Sequence, residues 1–115
     1  MAIYNLEERT LDYAIRVRTF IGKLPATLII NEDAKQLVRS SGSVGANYIE
    51  ANEAISKKDF KYRMRIARKE VKESRFWLKL IDVESDSILE SEKTQLIDES
   101  TQLLKILSSI LLKSQ

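Results

Sequence analysis

The chain has no cysteine and no histidine among its 115 residues. Without thiols there is no disulfide framework, no thiol nucleophile and no thiolate metal site. Without imidazole the commonest general base and transition-metal ligand is missing as well. One proline and three glycines leave few helix breakers, a profile that suits helices with short connections and argues against disorder or a β-rich fold. No apolar run approaches the roughly twenty residues of a membrane span. The opening MAIYNLEERTLDY has early acids and no signal-peptide hydrophobic core. The expectation is a cytoplasmic chain forming a single domain over residues 1–115, with no cofactor, no metal site and no membrane partner.

What is present is charge, and it is unevenly placed. The formal net charge is only +2, yet residues 57–79 carry ten basic and three acidic side chains. Residues 1–56 carry six and seven, and residues 84–115 carry three and six. Clustering of one sign on one element matters for polyanion binding far more than the total does.

That element is organised as a helix. Ser56-Lys57-Lys58-Asp59 is a variant of the capping box, a hydroxyl followed three residues on by an acid. Phe60, Met64, Ala67, Val71, Ser74, Leu78 and Ile81 then fall at steps of four and three, which is one face of a helix. At about 100° per residue, Lys57, Lys58, Lys61, Arg65, Arg68, Lys69, Lys72, Arg75 and Lys79 form a second face, almost wholly positive. Tyr62, Ile66, Trp77 and Leu80 form a third, apolar face beside Asp59, Glu70 and Glu73. A charged face can be merely solvated, but a solvated face mixes both signs. A second apolar stripe has no use in a small monomeric bundle and reads as a subunit interface.

The remaining chain reads as three more helices. Asn5 caps the first, over about 6–23, with Leu11, Ala14, Ile15 and Ile21 as its seam and Val17, Phe20 and Leu24 widening it. Arg18 falls inside that seam, either with its stem packed and its head in water or paired with a carboxylate such as Glu50. Thr27 to Ile30 is a connection or an early turn of the second helix, which spans about 32–54 with Asn31 as cap. There Leu37, Ser41, Val44, Tyr48, Ala51 and Ile55 keep the period, although Ser40-Ser41-Gly42-Ser43-Val44-Gly45 is a poor helix former. Small residues on a seam let two backbones approach. A phosphate-cradling loop would need a preceding strand and a Gly-Lys-Ser/Thr ending, and neither is present. The third helix covers about 57–82. The fourth covers about 92–112, with Ser91 as cap or an earlier start at Ser87-x-x-Glu90, and with Leu96, Ile97, Leu103, Leu104, Leu107, Ile110 and Leu111 as its face. Four amphipathic helices in one core-sized chain predict an all-α, up-down-up-down four-helix bundle.

Two stretches are characteristic: Arg39 to Ala51, RSSGSVGANYIEA, followed by Ser56-Lys57-Lys58-Asp59-Phe60, and Ala67 to Leu78, ARKEVKESRFWL. With these the chain resembles the bacterial 23S rRNA intervening-sequence proteins, whose pattern couples an arginine, small residues and Asn-x-x-Glu to a downstream Ser-Lys-Lys-acid-Phe. Where many members have Asn-Ile-Ala-Glu-Gly, this chain has Asn47-Tyr48-Ile49-Glu50-Ala51. The resemblance implies a four-helix bundle that assembles as a ring-like homopentamer with a basic surface, related to nucleic-acid-binding accessory proteins of diversity-generating retroelements. It places Arg39, Asn47 and Glu50 at pattern positions, where they could form a buried polar network or line an interface.

An enzyme is not expected. A di-iron bundle needs Glu-x-x-His motifs, which a chain without histidine cannot supply, and Glu50 with Glu53 or Asp98 with Glu99 has no base or nucleophile partner. No catalytic residue is assigned. The expected function is binding of nucleic acid, RNA before DNA on the strength of the resemblance, through the cationic face of the third helix. The alternative is a structural or adaptor protein whose basic face docks an acidic protein partner.

Overall fold

The computed structural model of the chain describes residues 5–83 and 85–115. Residues 1–4, the start of the opening segment MAIYNLEERTLDY, and residue 84 lie outside the described residues. Four helices account for nearly all of the rest: α1 Leu6–Gly22, α2 Leu28–Asn52, α3 Lys57–Leu80 and α4 Ser87–Lys113. The described residues contain no strand.

Each helix starts on a side chain that accepts from an otherwise orphaned amide. Asn5 Oδ1 accepts from the Glu8 amide at 3.1 Å, and Ser56 Oγ from the Asp59 amide at 3.0 Å. The other two starts differ from the sequence expectation. α2 begins at Leu28 rather than 32, because Thr27, in extended conformation two residues after Pro25, caps it by accepting from the Ile30 amide at 3.1 Å. Asn31 is not the cap; it lies inside the helix. α4 begins at Ser87 rather than 92, close to the earlier start read from Ser87-x-x-Glu90, with Asp86 and not Ser87 as its cap. The Asp86 carboxylate accepts from both the Ile88 and Leu89 amides, at 3.0 and 3.1 Å, and its charge sits at the positive end of the helix dipole. Neutral Ser91 offers neither advantage and is helical. At the other ends α2 stops at Asn52 and α3 at Leu80, two residues short of expectation, which leaves Ile55 98% exposed in the connection.

One core runs through the molecule. α1 contributes Tyr13, Val17 and Phe20; α2 Leu37, Val44 and Ala51; α3 Met64, Ala67, Val71 and Leu78; α4 Leu96, Leu103, Leu107 and Leu111. Ile81 and Val83 close it beneath the α3–α4 connection. The seam of α1 is therefore Leu6, Thr10, Tyr13, Val17 and Phe20, and not the expected row through Leu11 and Ile15, which are 60% and 51% exposed. The reason is Thr10. Its hydroxyl donates back to the Leu6 and Glu7 carbonyls at 2.7 and 3.1 Å, so a residue that counts as polar is satisfied locally and buries.

Helices pack as neighbours in chain order, with α4 closing back on α1. Thr10 also sets the approach of α1 to α2: a Cβ on Gly45 would stand 2.8 Å from Thr10 Oγ1, so only glycine permits this separation. Ser40 and Ser41 are buried beside it and donate to carbonyls of their own helix. Across the middle of the bundle the Tyr13 hydroxyl meets Ser74 Oγ at 2.7 Å. Ser74 Oγ also lies 3.0 Å from the Val71 carbonyl, so its one proton serves either that carbonyl or the phenol oxygen of Tyr13. Burial pushes the Tyr13 phenol up to about 12, the Ser74 hydrogen bond offsetting part of that effect.

Candidate nucleic-acid interface

The face of α3 turned away from Met64, Ala67, Val71 and Leu78 carries Lys57, Lys58, Lys61, Arg65, Arg68, Lys69, Lys72, Arg75 and Lys79. Lys57 to Lys79 spans twenty-three residues, whose twenty-two steps make about 33 Å of helix. Lys57, Lys58, Arg65, Lys69, Lys72 and Lys79 are exposed and Lys61, Arg68 and Arg75 half-buried. None of the nine forms an ion pair among the described residues, whereas Arg9, Lys23, Lys35 and Arg39 all do. Like charges three and four residues apart on a helix repel by about 0.2–0.5 kcal/mol per pair. Lys57–Lys61–Arg65–Lys69 and Arg65–Arg68–Lys72 accumulate that repulsion, and among the described residues no salt bridge relieves it, although the charge of Lys69 is felt at Glu70.

Three of the cations converge. Lys61, Arg65 and Arg68 line a cleft between α3 and α4 whose other wall includes Ser108, Leu111, Leu112 and Gln115. Three positive groups, a hydroxyl and an amide suit a phosphate chemically. Sequence periodicity found the α3 wall and missed the α4 side, because pairing two faces across a seam needs the fold. Further along, Arg75 keeps a buried Nε without a hydrogen-bond partner among the described residues.

The expected polar network of Arg39, Asn47 and Glu50 is not assembled. Arg39 turns to α3 and forks onto Glu70, with Nη1 and Nη2 donating to Oε2 and Oε1 at 3.0 and 3.2 Å, while Nη2 also meets Glu73 at 3.1 Å. Glu70 keeps only 8% of its side-chain surface exposed against 51% for Arg39. Burial alone would raise the Glu70 carboxyl, but the hydrogen bonds and charge of Arg39 outweigh it and hold it below the usual range. The same fork raises Arg39. Asn47 donates to the Ser43 carbonyl of its own helix at 2.9 Å, and Glu50 is exposed with no ion pair among the described residues. Arg39 thus braces α2 against α3 and holds acidic Glu70 and Glu73 on the side of α3 away from the cleft. Arg18 is exposed, donates to the Ala14 carbonyl at 3.3 Å and lies over Gly42; it does not pair with Glu50.

The expected interface residues divide. Tyr62 and Leu80 are 58% and 48% exposed. Ile66 is half-buried, and Trp77 packs against the core with Phe76 edge-on at 5.2 Å between ring centroids. No group of three His, Cys, Asp or Glu among the described residues could hold a metal ion, and no described helix is long and apolar enough to cross a membrane.

The comparison that decides the family follows from this frame. The family model for 23S rRNA-intervening sequence protein matches residues 7–109. The chain belongs to the 23S rRNA-intervening sequence protein family. The match takes in α2 and α3 whole, and with them all nine cations, Arg39 and Glu70; on α4 it includes Ser108 and stops short of Leu111, Leu112 and Gln115. A crystal structure of a protein of unknown function from the S23 ribosomal protein family of Bacteroides thetaiotaomicron VPI-5482 is similar at 29% identity, with a TM-score of 0.77, over 91% of this chain and 96% of that one. No match is found among curated proteins. Membership of the 23S rRNA-intervening sequence family accounts for the four helices; what the surface does has to be argued from its side chains.

Proposed function

We propose that the chain is a non-enzymatic, up-down-up-down four-helix bundle that associates with copies of itself, as a homopentamer, and binds nucleic acid through the cationic face of α3. The observation that carries the binding is the nine-residue positive face, none of whose members is in a salt bridge among the described residues. A helix that accumulates that repulsion over about 33 Å is stabilised by an external polyanion, and a run of phosphates matches its length and charge. The Lys61, Arg65 and Arg68 cleft is the anchoring point for one phosphate. RNA is preferred over DNA because the family's name ties it to 23S rRNA; Lys and Arg contacts to phosphate carry no such preference.

Changing Lys61, Arg65, Arg68, Lys72 and Arg75 together to Gln is the test. Loss of binding to a labelled structured RNA, with the helical circular-dichroism signal intact, supports the proposal. Undiminished binding by a folded variant refutes it. An acidic protein as the true partner would show instead as failure of the native chain to bind RNA even at low salt.

A further inference from the structure

The cationic face of α3 is interrupted by an apolar ring. At about 100° per residue Phe76 falls about 160° round from Phe60, inside the arc of roughly 60–180° that holds the nine cations. It is 56% exposed. Its neighbours on the helix surface are the residues three and four away. Lys72 stands one turn before it and Lys79 one turn after, and both are exposed. Glu73 also adjoins the ring, but its carboxylate accepts from Arg39 Nη2 at 3.1 Å and is drawn toward α2. Leu80, 48% exposed, continues the apolar patch beyond the ring. The ring is braced as well: Trp77 meets it edge-on, with 5.2 Å between centroids and 79° between planes, and Trp77 itself packs against the core. A side chain held this way loses little further freedom when something stacks on it.

An exposed phenylalanine between two ammonium groups is poorly matched by an apolar protein surface. Covering it that way would strip water from the Lys72 and Lys79 heads and put nothing in its place. An unpaired nucleotide meets both demands. Its base supplies a π face for the ring, and the phosphates on either side supply acceptors for the two ammonium groups. A duplex does not, because its bases are stacked on one another and side chains cannot read the deep, narrow major groove of A-form RNA.

We propose that Phe76 is the stacking platform for an unpaired base of single-stranded nucleic acid, with Lys72 and Lys79 on the flanking phosphates. This rests on the nucleic-acid binding proposed above and names the form of nucleic acid that this end of the face takes. Arg68, the nearest cation of the cleft shared with α4, lies about 12 Å back along the helix, so one strand reaches both the cleft and the ring. Phosphate contacts supply affinity along the whole face; the stack at Phe76 is what tells an unpaired strand from a duplex.

The test uses three substitutions at this exposed position, with circular dichroism confirming the fold of each. Phe76→Leu keeps an apolar contact with Trp77 and removes the π face, Phe76→Ala removes both, and Phe76→Tyr keeps the ring. The probes are a short labelled unstructured RNA strand, a strand of the same length lacking bases, and an RNA duplex of that length. By fluorescence anisotropy, Phe76→Leu and Phe76→Ala should each weaken binding of the RNA strand by about 5- to 150-fold, the range of one lost base–aromatic stack. Phe76→Tyr should bind it as the native chain does. None of the three should change binding of the base-free strand or the duplex, or the salt dependence, because no phosphate contact is lost. Trp77 is the only tryptophan, and its emission should change when the native chain takes up the RNA strand and not when it takes up the base-free one. A Phe76→Leu variant that binds the RNA strand as tightly as the native chain, or a native chain that binds the base-free strand equally well, overturns the stacking while the phosphate reading stands. A native chain that binds none of the probes at low salt overturns both.

Discussion

Gly42 and Gly45 are three residues apart on α2, and alanine at each should move stability in opposite directions. At either position alanine gains about 1 kcal/mol of helix propensity over glycine. At Gly42 the new methyl meets only the Arg18 guanidinium at 3.5 Å, an ordinary contact with the end of a flexible side chain. The propensity gain survives there, and Gly42→Ala should stabilise by about 0.5–1 kcal/mol. At Gly45 the methyl would lie 2.8 Å from Thr10 Oγ1 and 3.2 Å from Thr10 Cβ. The Oγ1 cannot swing away freely, being held by the Leu6 and Glu7 carbonyls at 2.7 and 3.1 Å. Forcing α1 and α2 apart costs about 1–3 kcal/mol in a packed seam, so Gly45→Ala should destabilise by about 1 kcal/mol net. A gap of about 2 kcal/mol between the variants corresponds to roughly 8 °C in Tm for a domain of this size. Thermal unfolding followed at 222 nm, at matched protein concentration because assembly shifts Tm, reads it directly. Thr10→Ala should remove much of the Gly45→Ala penalty in a double-mutant cycle. Gly45→Ala as stable as the native chain, or both variants shifted the same way, would refute the close-approach argument.

Three further outcomes follow from the polar contacts. Arg39→Ala strands the nearly buried Glu70 carboxylate and should destabilise by about 2 kcal/mol, less than a fully buried pair because Arg39 is half in solvent. Since the Glu70 carboxyl is held below its unfolded value, its contribution is present above about pH 4.5 and lost as pH falls through the folded value. Urea midpoints across pH 3–6 should show a shallower acid slope in Glu70→Gln than in the native chain, and equal slopes would contradict the assignment. Tyr13 titrates the other way. With its folded value raised to about 12 from 10.0, its contribution is full below pH 10 and disappears between the two values. Phenolate absorbance should show one tyrosine ionising late or only with unfolding, and Tyr13→Phe should abolish that component.

How much of this is legible in the sequence depends on the range of the interaction. Asn5 and Ser56 can be read as caps because the bond spans three residues of the same chain, and the faces of α3 can be read because periodicity is local. Thr27 and Asp86 compete in the sequence with nearby residues of similar type; choosing between Asp86 and Ser91 depends on a carboxylate accepting two amides at a dipole end, which composition alone does not weigh. The phase of α1 is not legible, because Thr10 hides its hydroxyl in its own helix while Leu11 and Ile15 lie in a groove facing outward. The sequence marks Arg39 as a pattern position beside Asn47 and Glu50, and neither is its partner. Its fork onto Glu70 and Glu73 joins residues about thirty apart in sequence, and only the α2–α3 seam reveals it. For the same reason the Ser108 and Gln115 wall of the cationic cleft had no signal of its own.

The central claim is that the α3 face reads a phosphate backbone, and salt tests it most directly. Fluorescence anisotropy of a labelled structured RNA, titrated with the protein at several salt concentrations, gives log Kd against log salt. If about six of the nine cations meet phosphates, the account predicts tight binding at low salt that weakens by about four to five decades per decade of salt. Absence of binding at low salt, or binding indifferent to salt, would contradict it.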